Sequence, residues 1–224
     1  VIEKLRELTG IGLARAENPV ECTQNTDVFS EVSGILKAHA TNLIKITNDL
    51  RLMNSGPQAG LSEIILPSRQ VGSSIMPGKV NPVIPEMVAQ AGIRVLGNDV
   101  VINQCVAMGQ LELNQFMPLI AFSLLESLEL LVNTNKIFNE KCVKGIIANK
   151  ESIQRKVDSS YAILTALLPK LGYNRICSIA KDLQNTNMTP KEYILSKNIL
   201  SEEDFDILTS PEAILALGHR DIPD

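Results

Sequence analysis

Residues 27–53 read DVFSEVSGILKAHATNLIKITNDLRLM. Apolar side chains at Val28, Val32, Ile35, Leu36, Leu43, Ile44, Ile46, Leu50 and Met53 recur at helical spacing, with Gly34 the one weak helix former in the run. Thr26 or Asp27 supplies a cap, and Asn54-Ser55-Gly56-Pro57 stops the run. A helix of about 27 residues is ~40 Å long at 1.5 Å per residue. A second stripe follows Asn81-Pro82, with Pro85 in the tolerated first turn, and passes through Met87, Val88, Ile93, Val95, Leu96, Val100, Ile102 and Val106 towards Gly109. A third starts near Asn114, takes Pro118 in its first turn and reaches about Lys144 before Gly145. Helices this long bury their stripes only against one another or against copies of themselves, so a long and oligomeric bundle is expected.

Working outward, the opening segment Val1 to Leu8 carries a helical stripe with no capping residue before it, and it reads as a helix entered mid-course, in a piece of a longer protein. Gly10-Ile11-Gly12 has no third glycine and no strand before it, so it is not read as a dinucleotide loop. Beyond Gly145 the helices shorten: Asn149 to Leu168 ending at Pro169, Asn174 to Asn185, then Thr189-Pro190-Lys191-Glu192, a capping box with proline at the first helical position. Ser201-Glu202-Glu203-Asp204 and Ser210-Pro211-Glu212 repeat the device, with acids over the positive helix start. The expected fold class is all-α, a long-helix bundle over residues 1–148 followed by a small helical C-terminal domain over 149–224, with residues 220–224 frayed.

Composition narrows the function. The chain of 224 residues is 45% hydrophobic and 21% charged, the balance of a globular protein with a real core. Its formal charge of -4 leaves no basic stripe, so nucleic acid is not an expected partner. The longest apolar runs, such as Phe116 to Leu125, soon meet Glu126, and no stretch approaches the roughly 20 residues of a membrane span. Cys22, Cys105, Cys142 and Cys177 have no metal-ligand or disulfide spacing; they are expected to be buried apolar side chains in a reducing cytoplasm, and no metal or cofactor is expected. Asn98, Asp99, Asn103 and Gln104 interrupt an apolar stripe and are expected to form interhelical hydrogen bonds.

The chemistry sits between the first two long helices. Gly and Pro recur over 56–81, where only Ile64-Ile65-Leu66 has the character of a short strand, and connections this long without structure of their own are usually functional. The loop ends Gly72-Ser73-Ser74-Ile75-Met76-Pro77-Gly78-Lys79-Val80-Asn81-Pro82 and runs straight into a helix start. Two hydroxyls, a lysine, an asparagine amide and the positive end of a helix make a place for an anion, most naturally a carboxylate. Each residue also has a plainer use: the serines in satisfying turn backbone, Lys79 as a solvated charge, Asn81 as the cap of the next helix.

This run of eleven residues resembles the signature of the fumarase/aspartase superfamily. Asn48-Asp49-Leu50-Arg51-Leu52, Ser55-Gly56-Pro57, Gly97-Asn98-Asp99 and Glu112-Leu113-Asn114 are similar to the same family. Lys79-Val80-Asn81-Pro82 resembles the fumarase and aspartase branches, since the other branches carry a second basic residue after the lysine. Val83-Ile84-Pro85-Glu86, Gly109-Gln110-Leu111-Glu112-Leu113-Asn114 and the stretch 49–57 resemble the ammonia-lyase branch more than class II fumarases.

The resemblance implies a carbon–nitrogen lyase that reversibly eliminates ammonia from L-aspartate to give fumarate through an aci-carboxylate. The alternatives are a class II fumarate hydratase or a non-catalytic helical oligomerisation module. It implies Ser73 as general base, Ser74 as hydrogen-bond donor to the aci-carboxylate, and Lys79 and Asn81 as ligands of the other carboxylate. Glu86 would stand behind them, bonded to a histidine from another subunit, or serve only as a first-turn acid. His39 and His219 match no site motif of the family, and structural roles are expected. The family builds each site from three regions on three subunits of a homotetramer. Only the signature loop is present here, so the 224 residues alone are expected to be inactive.

Overall fold

The computed structural model describes residues 1–70, 72, 75–76 and 78–216. It forms two compact units, 1–148 and 149–224. The first contains α1 (Ile2–Thr9), α2 (Pro19–Gln24), α3 (Asp27–Met53), β1 (Ile64–Ile65), α4 (Val83–Ala107), α5 (Met117–Lys141), a 3-10 turn at Val143–Gly145 and β2 (Ile147–Ala148). The architecture is all-α, as the periodicity predicts. The two strands are two residues each and pair antiparallel, Ile64 with Ala148 and Ile65 with Ile147.

Helices α3, α4 and α5 pack side by side around Ala40, Leu43, Val88, Val95, Leu131, Phe138 and Cys142. A second cluster of Ile102, Cys105 and Ile120 fills the end nearer the α4–α5 turn. On α3 the buried positions are Ser33, Ala40, Leu43 and Thr47, spaced at seven, three and four residues. Small residues there let α4 come close: a Cβ added to Gly92 would stand 2.7 Å from Ile44 Cγ1 and 3.2 Å from the Ala40 carbonyl oxygen. The apolar stripe read from the sequence is therefore divided. Val28, Val32, Ile35 and Ile46 are exposed, as are Ile93 and Val100 on α4 and Phe122, Leu125 and Val132 on α5.

The polar residues of α4 tie it to both neighbours. Asp99 accepts from Ser33 Oγ at 2.8 Å and from Lys37 Nζ at 2.7 Å. Asn98 donates to the Ser123 carbonyl at 3.3 Å, Ser127 Oγ at 3.1 Å and Glu126 at 2.7 Å. Asn103 bonds Ser30. Gln104 departs from the expected role: it lies on the exposed face of α4 and makes no interhelical bond among the described residues.

Three further expectations are corrected in this unit. The third helix begins at Met117 rather than near Asn114, because the Asn114 side chain is spent elsewhere. Its amide donates to Thr26 Oγ1 and the Cys105 carbonyl, both at 3.0 Å, and its oxygen accepts from Phe116 N at 2.9 Å. Cys22 is exposed rather than buried, on a short helix capped by Asn18 that the sequence reading passed over. The stretch Met117–Gly145 does satisfy the length and composition of a membrane span. Its buried face nevertheless carries Ser123, Ser127 and Thr134, and its Glu126 is paired to Arg94 at 2.8 Å, which is the chemistry of a bundle helix. His39 sits on the surface of α3 against Asn135, a structural contact.

The second unit holds α6 (Lys150–Ser159), a 3-10 stretch at Tyr161–Leu167, α7 (Leu168–Leu171), α8 (Tyr173–Leu183), α9 (Pro190–Ser196), α10 (Glu202–Leu208) and α11 (Pro211–Leu215) around Leu164, Leu167, Ile176, Ile179, Leu183, Ile194, Phe205 and Leu208. The predicted helix over 149–168 is interrupted. Ser160 is extended and accepts from Ala162 N at 3.2 Å, starting a new turn, and Pro169 sits in the first turn of α7 instead of ending a helix. The capping box forms: Glu192 N donates to Thr189 Oγ1 at 3.3 Å, and Thr189 N to the Glu192 carboxylate at 2.7 Å. His219 and the frayed ending predicted at 220–224 lie outside the described residues.

Candidate active site

The connection between α3 and α4 is built as a series of backbone closures. Past α3 the chain turns back on itself, with Ser62 N donating to the Ser55 carbonyl at 2.6 Å, Leu61 N to Ser55 Oγ at 3.0 Å and Glu63 N to the Met53 carbonyl at 2.8 Å. Gly60 is required there, because a Cβ would fall 2.3 Å from the Ser55 carbonyl carbon. Asn54 Oδ1 then accepts from Leu66 N at 2.9 Å, holding the next segment against the end of α3.

The loop closes again at its far end. A Cβ at Gly72 would stand 2.9 Å from the Lys79 carbonyl oxygen, so the backbones at 72 and 79 touch. Lys79 N donates to the Met76 carbonyl at 3.2 Å, and Gly78 takes a φ of 80°, a conformation that favours glycine. Ser73 and Ser74, the expected base and aci-carboxylate donor, lie between these points and outside the described residues.

Lys79 and Asn81 are both exposed at the entrance to α4. The plainer use of Asn81 as a helix cap is not taken up: Pro82 is the N-cap residue of α4 and no side chain caps it. The Asn81 carbonyl accepts from Val83 N at 2.9 Å, and Asn81 and Lys79 are two residues apart in the sequence. Glu86 is in the first turn of α4, half-buried, and its carboxylate lies 4.0 Å from an Arg51 guanidinium nitrogen near the C-terminal end of α3. Arg51 also donates to Asn48 at 3.4 Å. The structure thus brings Lys79, Asn81 and Glu86 to one helix start. It adds Arg51, whose role no spacing in the sequence discloses because it depends on how α3 ends against α4.

A cation, an amide and a helix N-terminus suit an anion. Among the described residues no group of three or more His, Cys, Asp or Glu is placed to hold a metal ion.

Known proteins resemble this chain over most of its length. A family described as "Lyase" matches residues 1–97, and one described as "Fumarase C C-terminus" matches residues 163–216. An aspartate ammonia-lyase from Bacillus sp. is 44% identical over 211 residues, which is 94% of this chain and 45% of that protein. A fumarate lyase:delta crystallin from Brucella melitensis, solved bound to cobalt, superposes with a TM-score of 0.89 at 43% identity, over 96% of this chain and 47% of that one. A class II fumarase from Schistosoma mansoni gives a TM-score of 0.82 at 34% identity, covering 95% and 46%. The chain spans a little under half the length of these relatives.

Proposed function

The chain belongs to the fumarase/aspartase superfamily of lyases, and from that premise we propose that it forms the C-terminal part of an aspartate ammonia-lyase. The reaction is the reversible elimination of ammonia from L-aspartate to give fumarate. Ser73 Oγ takes the proton from C3 of the substrate. The electron pair passes into the adjacent carboxylate, forming the aci-carboxylate, and returns as the C2–C3 double bond while the C2–N bond breaks and ammonia leaves. The dianionic intermediate carries most of the barrier, so hydrogen bonds and positive charge aimed at it matter most.

In this reading Ser74 donates to the aci-carboxylate, while Lys79 and Asn81 hold the other carboxylate, one by charge and one by geometry. A serine hydroxyl is too weak an acid to serve as an alkoxide unless the site is electropositive, and Lys79 with the α4 start supplies that potential. Glu86 acts behind them, on a histidine from another subunit. The carrying observation is that Lys79 and Asn81 stand exposed just before a helix start that no side chain caps, on a loop whose neck is closed at Gly72.

The exposed apolar rows on α3, α4 and α5 support association with further subunits; in this reading the parent is a cytoplasmic homotetramer whose other subunits supply further carboxylate ligands and the histidine. Alone, the 224 residues lack most of those ligands and should not turn over. The test is fumarate formation by the full-length parent on L-aspartate and on malate, side by side, with the 224-residue chain as a third sample. Turnover of aspartate by the parent alone supports the reading. Preference for malate supports a fumarate hydratase, the second reading, which the class II fumarase likeness favours. No turnover on either leaves a helical oligomerisation module.

A further inference from the structure

A helix ends with carbonyls that have no partner along its own backbone. At the end of α5 the Lys141 carbonyl accepts from Arg69 Nε at 2.7 Å, across 72 residues of sequence. This bond is the last of three successive holds on the segment leading to the signature. Before it come the pairing of Ile64 and Ile65 with Ala148 and Ile147, and the packing of Pro67 on Gly145, where a Cβ would stand 2.5 Å from Pro67 Cγ. Only Gln70 and Val71 separate Arg69 from Gly72, where the neck closes on the Lys79 carbonyl. The two sides of the neck therefore hang on different supports. Residues up to Arg69 are held by the end of α5, and Lys79 to Asn81 lead directly into the start of α4.

We propose that Arg69 is a positioning residue, which fixes the stem from which Ser73 directly follows by anchoring it to the C-terminal end of α5. The proposal rests on the functional reading above, in which Ser73 is the base and Lys79 with Asn81 the carboxylate ligands. Loosening the Arg69 side frees the chain that leads in sequence to Ser73 and leaves Lys79 and Asn81 at the entrance to α4. Since a misplacement of about 1 Å at a reacting group costs on the order of 100-fold, Arg69→Gln lowers kcat of the parent roughly 10- to 100-fold and leaves KM within about threefold. Arg69→Lys keeps the cation but loses the planar donor, and recovers part of the rate. Gly145→Ala pushes on Pro67 from the other side and gives the same kcat-only defect.

Two measurements test this. Hydrogen exchange on the 224-residue chain, wild type against Arg69→Gln, is expected to quicken over residues 70–79 and stay unchanged across α3, α4 and α5. Steady-state kinetics of the full-length parent carrying the same substitutions is expected to show the kcat fall with KM held. Unchanged exchange with unchanged kcat overturns the proposal. So does a KM increase at constant kcat, or faster exchange throughout α3–α5, which would make Arg69 a residue of the fold. If the wild-type parent does not act on aspartate, the functional reading fails instead, and the exchange arm alone then upholds or overturns the anchor.

Discussion

Gly72 lies so close to the Lys79 carbonyl oxygen that the two backbones define the width of the loop neck; a Cβ at 72 would meet that oxygen at 2.9 Å. The φ of Gly72 is not in the left-handed region, so the restriction is spatial. Gly72→Ala should force the 79 side away, lowering the parent's rate on aspartate about tenfold or more while its melting temperature moves little. Initial rates and a thermal melt on the same preparation check this, and an unimpaired enzyme would show that the neck has slack.

The assigned roles of the loop residues separate in kinetics. Ser73→Ala in the parent should reduce kcat by roughly 1,000-fold or more with the circular dichroism spectrum unchanged, since the substitution removes the base. Lys79→Met should mainly raise KM for aspartate, by about 10- to 100-fold, through loss of a charge-assisted bond to carboxylate. A fully active Ser73→Ala enzyme would remove this serine from the mechanism.

Two glycines in the long helices should respond in opposite directions. A Cβ on Gly92 would meet Ile44 Cγ1 at 2.7 Å and crowd the Ala40 carbonyl at 3.2 Å, and Gly92→Ala should cost about 1–3 kcal/mol as α3 and α4 are pushed apart. Gly34 has open space where its Cβ would be, and Gly34→Ala should gain up to about 1 kcal/mol from helix propensity. Urea unfolding of the three proteins decides both signs.

Asp99 gives the first unit an acid-sensitive joint. Its burial raises the carboxyl pKa, but the hydrogen bonds from Lys37 and Ser33 and the Lys37 charge outweigh this and hold it below the ordinary range. A depressed native pKa stabilises the fold above the unfolded value near 4, and that contribution is lost as pH falls through the native one. Urea midpoints should therefore drop below about pH 4, and Asp99→Asn should cost about 1–2 kcal/mol near neutrality while flattening that acid limb. An acid limb as steep as wild type in the variant would assign the sensitivity to other carboxylates.

Much of this architecture was legible from periodicity and punctuation, because α3, α4 and the capped helices from Thr189 onward are decided by local rules: stripe, cap and stop. The misread elements are those settled by distant partners. Asn114 would begin a helix by its sequence position, yet its amide is claimed by Thr26 and Cys105. The stripe of α3 looks uniformly core-seeking, although only the side meeting Gly92 is covered within this chain. In the loop, the anion reading rests on residue types at fixed spacing. Arg51 beside Glu86 and Arg69 on the α5 terminus depend on three-dimensional neighbours that a linear pattern does not encode.

The pairing of Ile64 with Ala148 joins points on either side of both α4 and α5. A contact closing so long a circuit, with only two residue pairs to reward it, forms after the helices it encloses have docked, since chain entropy must be met first. The segment paired through Ile64 and Ile65 is therefore the last portion of the bundle to be organised during folding. It should also be the first released when the protein is warmed, so exchange at Ile64 and Ile65 would quicken before the helical signal is lost.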